Sequence, residues 1–217
     1  MPPDPLSHLC FTQLDASTWC MSAQIIPDLY DRQDSHECNN HQLHKPSFNH
    51  ERQQQRKGVR DLLQCLLYKL NIRDDLDETQ FPYRLTIHRY YVCFSHSVDR
   101  VAVVVSTHRP VGIDIEIQSV KWSIVQRYYH VDELAILTQL DSIERDYVSR
   151  LLWQIKECFI KVHDYTLGQG MGVNYAHLIN ELSIKINDDS LMPIAIQDMQ
   201  SSYQIMLLRE QQIVITL

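Results

Sequence analysis

Two acids spaced two apart, and a third between lysines further along, are the residues in this chain whose types and spacing best suit chemistry. From Val111 to Ile117 the side chains alternate strictly: Val111, Ile113, Ile115 and Ile117 point one way, and Gly112, Asp114 and Glu116 the other. On a strand this places two carboxylates on one face about 7 Å apart, near enough to converge on one cation or a shared water. Downstream, Trp153-Gln154-Ile155-Lys156-Glu157-Cys158-Phe159-Ile160-Lys161 reads as helix, and at about 100° per residue Trp153, Lys156, Glu157 and Lys161 share one side. Each motif alone has a plain explanation. Glu157 and Lys161 suit helix support by i,i+4 pairing, and Asp114 and Glu116 suit the wet face of a half-buried strand. Together, three carboxylates from two elements beside lysines make a hard-oxygen site suited to Mg²⁺ and a polyphosphate, because a cation resolves the repulsion among the acids.

These residues need elements to hold them. Val59, Leu62, Leu63, Leu66, Leu67 and Leu70 recur at helical spacing between Glu51 and Leu70, with Arg52, Arg56 and Arg60 at four-residue steps beside them. Tyr90–Phe94 and Val101–Ser106 are β-branched or aromatic runs and read as strands joined through Ser95-His96-Ser97-Val98-Asp99-Arg100. After the acidic strand, Ser123–Tyr129 and Asp132–Leu140 predict short helices and Glu144–Val162 a longer one. Gly168, Gly170 and Gly172, three of the five glycines, predict a loop. Leu178–Ile186 and Tyr203–Leu217 read as strands, the last as a hairpin turning near Glu210-Gln211. Residues 1–50 have weak periodicity and suggest short strands and long loops. Helices and strands mix without βαβ alternation, so the class is α+β.

Composition bounds the function. At 217 residues the chain has room for one domain or two small ones, and no apolar run approaches the ~20 residues of a membrane span. A net charge of −7 argues against a broad nucleic-acid footprint, which draws its affinity from clustered Lys and Arg. The six cysteines have neither CxxC spacing nor the density of a disulfide scaffold, so free thiols are expected. Met1-Pro-Pro-Asp-Pro lacks the plan of a secretory leader, which leads to the expectation of a cytoplasmic protein.

Val111-Gly112-Ile113-Asp114-Ile115-Glu116 followed by Trp153-Gln154-Ile155-Lys156-Glu157-Cys158-Phe159-Ile160-Lys161 resembles the paired signature of 4′-phosphopantetheinyl transferases, and the separation of the motifs fits. Phe94-Ser95-His96-Ser97 is similar to that family's third motif and stands in the same order. The likeness is clear from about Tyr91 to Gly172, and the length points to the Sfp-type (surfactin-synthetase-activating) branch. That branch implies a single-chain pseudo-dimer of two similar α/β halves, here 1–109 and 110–217, although no internal sequence repeat is evident.

The resemblance implies an enzyme that moves the 4′-phosphopantetheine arm of coenzyme A to a serine of an acyl or peptidyl carrier protein, giving holo-carrier protein and 3′,5′-ADP. It makes Asp114, Glu116 and Glu157 the magnesium ligands, and Glu157, Lys161 and Asp114 the catalytic group. The general base is Glu157 or a metal-bound water. Lys156 and Lys161 contact phosphates, and Ser95 and His96 lie near the 3′-phosphate end of the nucleotide. A monomer is expected, with no nucleic-acid or membrane partner. Where many relatives have Gly-Lys-Pro this chain has Phe81-Pro82-Tyr83-Arg84-Leu85, so Arg84 takes over that cation's task, and Arg52 or Arg56 reaches the nucleotide. Cys158 is expected to face away and pack.

Five other readings are weighed against this one. A non-catalytic protein of the same fold that binds coenzyme A or a carrier domain is opposed by the intact Asp114, Glu116, Glu157, Lys156 and Lys161; a magnesium-dependent pyrophosphate hydrolase would release ADP with no acceptor. Cys38, His41 and His44, with His36 and His50 nearby, imitate a zinc half-site without a second ligand pair. Ser95-His96 lacks the GxSxG elbow of a serine hydrolase, and the glycine segment lacks the GK[ST] of a P-loop.

Overall fold

A computed structural model describes residues 5–26, 48–184, 193–198 and 201–217. Cys38, His41 and His44, which imitate a zinc half-site, and the neighbouring His36 lie outside the described residues.

The N-terminal sheet is built on Arg100–Ser106 (β6), whose Val101, Val103 and Val105 alternate with Ala102 and Val104, all fully buried. An unbroken apolar strand suits a position covered on both faces. One face carries α1 (Phe48–Lys69), where Val59, Leu62, Leu63, Leu66 and Leu67 meet Val101, Val103 and Val105 together with Met21, Ala23 and Ile25. The helix predicted from this leucine row is present, and Arg52, Arg56 and Arg60 are exposed on its outer side. Flanking strands are β1 (Leu6–Gln13), β2 (Thr18–Ile25), β3 (Leu76–Asp77), β4 (Arg84–Leu85) and β5 (Tyr91–Ser97), in the order β1-β2-β6-β5-β4-β3. β5 and β6 pair from Tyr91↔Ser106 to Ser97↔Arg100, so Ser95, His96 and Ser97 belong to the strand and only Val98-Asp99 turn between them.

The second sheet has the order β7-β10-β9-β8, from β7 (Gly112–Ile115), β8 (Ile194–Asp198), β9 (Ser201–Leu208) and β10 (Ile213–Thr216). β9 and β10 form the hairpin expected near Glu210-Gln211, where Arg209–Gln211 makes a 3₁₀ turn. On its outer face lies α4 (Ser142–His163), started by Asp141, whose carboxylate accepts from the N–H groups of Ile143 and Glu144. Val148, Leu152, Ile155 and Phe159 of α4 bury against Ile194, Ile205, Leu207 and Val214. Around it pack α2 (Trp122–Tyr128), α3 (Val131–Leu137), α5 (Leu167–Met171), a 3₁₀ turn (Ala176–Leu178) and α6 (Ile179–Ile184).

The two sheets face each other through Cys20, Cys93, Ala102 and Val104 on one side and Ile113, Ile115, Met206, Ile213 and Ile215 on the other, giving four layers: helix, sheet, sheet, helix. The α+β class is thus present as two sheet-and-helix units. The five described cysteines are free thiols. No helix among the described residues is long and apolar enough to cross a membrane.

Two expectations require correction. Leu178–Ile186, expected as a strand, is the 3₁₀ turn and α6 as far as it is described; Leu178, Ile179 and Leu182 are buried at spacings that fit a helix flank. The glycine segment is the helical turn α5 rather than a loop, and Gly170 serves packing: a Cβ there would stand 2.0 Å from Ile160 Cγ1.

Candidate active site

β7 is an edge strand of the second sheet, and its open edge faces β5 of the first. A free edge leaves backbone groups in search of partners, and β5 supplies them with side chains. Ser95 Oγ accepts from the N–H of Ile115 at 3.1 Å and donates to Asp114 Oδ1 at 2.9 Å. Two residues on, Ser97 Oγ accepts from the N–H of Ile117 at 3.4 Å and donates to Glu116 Oε1 at 2.7 Å. A Ser-x-Ser pair on one strand therefore fits an Asp-x-Glu pair on the other, one hydroxyl to each carboxylate.

α4 closes the site from the other side. Gly112 lets it approach, since a Cβ there would stand 2.3 Å from the Cys158 carbonyl oxygen. Lys161 Nζ donates to the Ile113 carbonyl at 2.7 Å and to Asp114 Oδ1 at 3.0 Å. Gln154, fully buried, ties the Asp114 carbonyl at 3.2 Å to that of Gln212 at 2.8 Å. Cys158 Sγ packs inward against the Val214 carbonyl, as expected.

The electrostatics follow from this crowding. Burial pushes the Asp114 carboxyl up, against the pull of Lys161 and Ser95. Burial likewise raises the half-buried Glu157 carboxyl, and Asp114 and Glu116 raise it further while Lys161 opposes them. For Lys161 burial disfavours the charge, but the neighbouring Asp114, followed by smaller contributions that include Glu157, outweighs it and holds the ammonium above the usual lysine range. The three carboxylates thus stand in one another's field. Among the described residues no three acid, histidine or cysteine side chains form a ready cation cage. By the chemistry of its donors the set fits a hard divalent ion: carboxylate oxygens from a strand and a helix, in excess over the one ammonium among them.

His96 is on the opposite face of β5, exposed on the α1 side, and partial desolvation with the charges of Lys161, Arg52 and Arg56 holds its imidazole below the usual histidine value. The structure therefore gathers His96, Arg52, Arg56 and Lys161 into one region of positive field.

Residues 110–215 match the sequence pattern of the 4′-phosphopantetheinyl transferase superfamily. That likeness covers the acidic strand β7, the helix α4 and the C-terminal hairpin. The chain is also similar to the 4′-phosphopantetheinyl transferase psf-1 of Bacillus pumilus, 27% identical over 136 residues, covering 61% of this chain and 54% of that protein. The chain thus spans about half the length of the curated relative that it matches. Both findings support the superfamily and the Sfp-type branch read from the sequence.

Within the segment that matches, one residue is not where the sequence pattern predicts it. Lys156 does not face the carboxylates. Its side chain is fully buried, its ammonium 3.0 Å from Glu133 Oε1, and it donates to the carbonyls of Met171, at 2.8 Å, and Val173. The rings of Tyr129 and Tyr175 flank it at 5.1 and 5.3 Å. The reason is angular. Five residues at about 100° each carry Lys161 roughly 140° round the helix from Lys156, so only one of the two lysines can look at Asp114. Burial lowers the Lys156 pKa, with Glu133 opposing.

Arg84 also stands apart. It stacks on Tyr91 at 4.1 Å and donates to its hydroxyl at 2.6 Å, four strand residues, about 13 Å, from Ser95. Ser95 is buried and committed to Asp114 and the β7 edge, so its hydroxyl serves the carboxylate rather than an open nucleotide surface. The seam role of the serines and the Glu133 partner were missed by the sequence reading. The matching two-residue spacing of Ser-x-Ser and Asp-x-Glu was the available signal for the first. Glu133, distant in sequence, offered none.

Proposed function

We propose that this protein transfers the 4′-phosphopantetheine moiety of coenzyme A to a serine of an acyl or peptidyl carrier protein, releasing 3′,5′-ADP. The observation that carries the reading is the meeting of Asp114, Glu116 and Lys161 beside Glu157, all inside the segment that matches the superfamily, with Ser95 and Ser97 of β5 just before it. Asp114, Glu116 and Glu157 are the residues that would hold Mg²⁺, which when bound neutralises charge on the pyrophosphate. Lys161 orients Asp114 and offers its charge to phosphate oxygens. Arg56 and Arg52 supply the positive charge for the nucleotide phosphates, and His96 beside them offers a ring N–H. Lys156 is assigned a structural task, and Arg84 is left out of the phosphate site.

In the transfer, the acceptor serine oxygen bonds to the phosphorus that bears the pantetheine arm. The bond from that phosphorus to the bridging oxygen breaks, and the electron pair leaves with 3′,5′-ADP. Glu157, whose carboxyl burial raises above the usual glutamate value, is the candidate among the chain's own residues to take the serine proton. Catalysis then comes chiefly from positioning and from charge placed around the phosphoryl oxygens. In this reading 1–109 and 110–217 are the two halves, the enzyme is cytoplasmic and monomeric, and coenzyme A and a carrier protein are its partners. Mass spectrometry of an apo carrier protein incubated with coenzyme A and Mg²⁺ tests it: the phosphopantetheine mass should appear on the carrier. No mass gain on acyl or peptidyl carriers overturns it.

A further inference from the structure

Among the described residues Arg150 forms no ion pair. It lies on α4 two turns, about 10 Å, before Glu157 and on the same helix face, since positions 150, 154, 157 and 161 step by three or four. There a cavity of about 310 Å³ opens between α4 and the β9–β10 turn. Leu151, Leu207 and Ile213 give it apolar walls, and Tyr147 contributes a ring with Arg150 at 5.5 Å and Arg209 at 5.9 Å. Arg150 Nε is buried with no hydrogen-bond partner, and no carboxylate among the described residues pairs with its guanidinium. Glu116, whose charge acts on Arg150, is taken by Ser97 and by the N–H of Gln118. Glu210, which also lines the cavity, is exposed. Arg150 is half-buried, its Nε is shielded from water with no acceptor, and its planar fork matches a carboxylate or phosphate at two oxygens.

We infer that this cavity is an oxyanion subsite, in which Arg150 pairs with a carboxylate or phosphate of a ligand whose apolar part lies over Leu151, Leu207 and Ile213. Thermal unfolding of the full chain with inorganic phosphate or succinate, against sodium chloride at matched ionic strength, tests it. Both probes should raise the midpoint of the wild type and of Arg52→Gln/Arg56→Gln, which lacks the exposed cations beside His96. Arg150→Gln should lose more than half of that rise. Arg150→Lys, which keeps the charge and loses the fork, should need roughly tenfold more probe for the same rise. An equal rise in Arg150→Gln and wild type, or no rise over chloride in the wild type, overturns the subsite.

Which substrate carries the oxyanion rests on the transferase reading and is read separately. A raised KM for coenzyme A in Arg150→Gln assigns it to the coenzyme, and a raised KM for the carrier protein assigns it to the acceptor. Both KM values unchanged, with the probe effect intact, would leave an adventitious ion only and overturn a part in the reaction. Failure of the transferase reading looks different: no variant transfers, while the Arg150-dependent response to the probes persists.

Discussion

Replacing Glu133 by Gln should destabilise this protein strongly while leaving the proposed coenzyme A binding little changed. Lys156 Nζ has three protons and three acceptors: Glu133 Oε1 at 3.0 Å and the carbonyls of Met171 and Val173, with both side chains of the ion pair fully buried. Glu133 is bound in turn by the N–H of His130 at 2.9 Å and of Tyr175 at 2.8 Å, so one carboxylate joins α3, α4 and the segment after α5. Glu133→Gln strands the ammonium between two carbonyls with no counter-charge. Breaking a buried pair from one side costs about 3–5 kcal/mol, which for a chain of this size lowers the midpoint by roughly 6–20 °C at ~2–4 °C per kcal/mol. Glu133→Gln/Lys156→Met, which removes both charges, should recover much of the loss. The assay is thermal unfolding followed by circular dichroism, beside calorimetric titration of coenzyme A at a temperature where every variant is folded. Coenzyme A affinity should stay within about twofold of wild type in Lys156→Met, a shift of under ~0.5 kcal/mol. A Lys156→Met protein with an unchanged midpoint and tenfold weaker coenzyme A binding would refute the reasoning and return Lys156 to the phosphate site.

Other outcomes follow from the same geometry. Glu157→Gln should abolish most carrier modification while leaving the unfolding midpoint near that of wild type, because the side chain is half-buried with no hydrogen bond among the described residues; wild-type turnover would remove Glu157 from the chemistry. Asp74 accepts from the N–H groups of Asp75, Ile87 and His88 and from the His88 ring, and although burial opposes it, these bonds bring its carboxyl from 3.8 down to about 2. A depressed folded pKa means stability present above pH ~4 and lost as pH falls toward 2, worth roughly 2 kcal/mol; Asp74→Ala should lack that acid limb in an equilibrium denaturation series. Gly112→Ala should destabilise the chain by several degrees, since the new Cβ meets the backbone of Cys158 at 2.3 Å and α4 must retreat; an unchanged midpoint would show that α4 does not rest on β7.

Much of the site was legible because period-two and 3.6-residue patterns dictate which side chains share a face. Val111–Ile117 alternates as a strand, so Asp114 and Glu116 were bound to lie together, and Val59–Leu67 could only be an amphipathic helix. Lys156 shows where that reasoning stops. Trp153, Lys156, Glu157 and Lys161 span a wide arc of the helix, and one edge of it turns into the core when a carboxylate waits there. Leu178–Leu182 was misread because a short apolar run satisfies strand and helix alike, and tertiary contact with α4 decides between them. Ser95 was legible as a site residue, but not its task, because the edge it protects lies in the other sheet and only the packing of the two sheets brings it near.

That seam has a consequence for dissecting the protein. A fragment holding only the superfamily-matching segment would keep three acids and Lys161 but part with the two hydroxyls that steer them. It would also bare a strand whose amides have lost their caps, inviting a second copy to pair there. Chemistry and cohesion therefore share the same few atoms, and anything that grips the acids also clasps one layer of the molecule to the next.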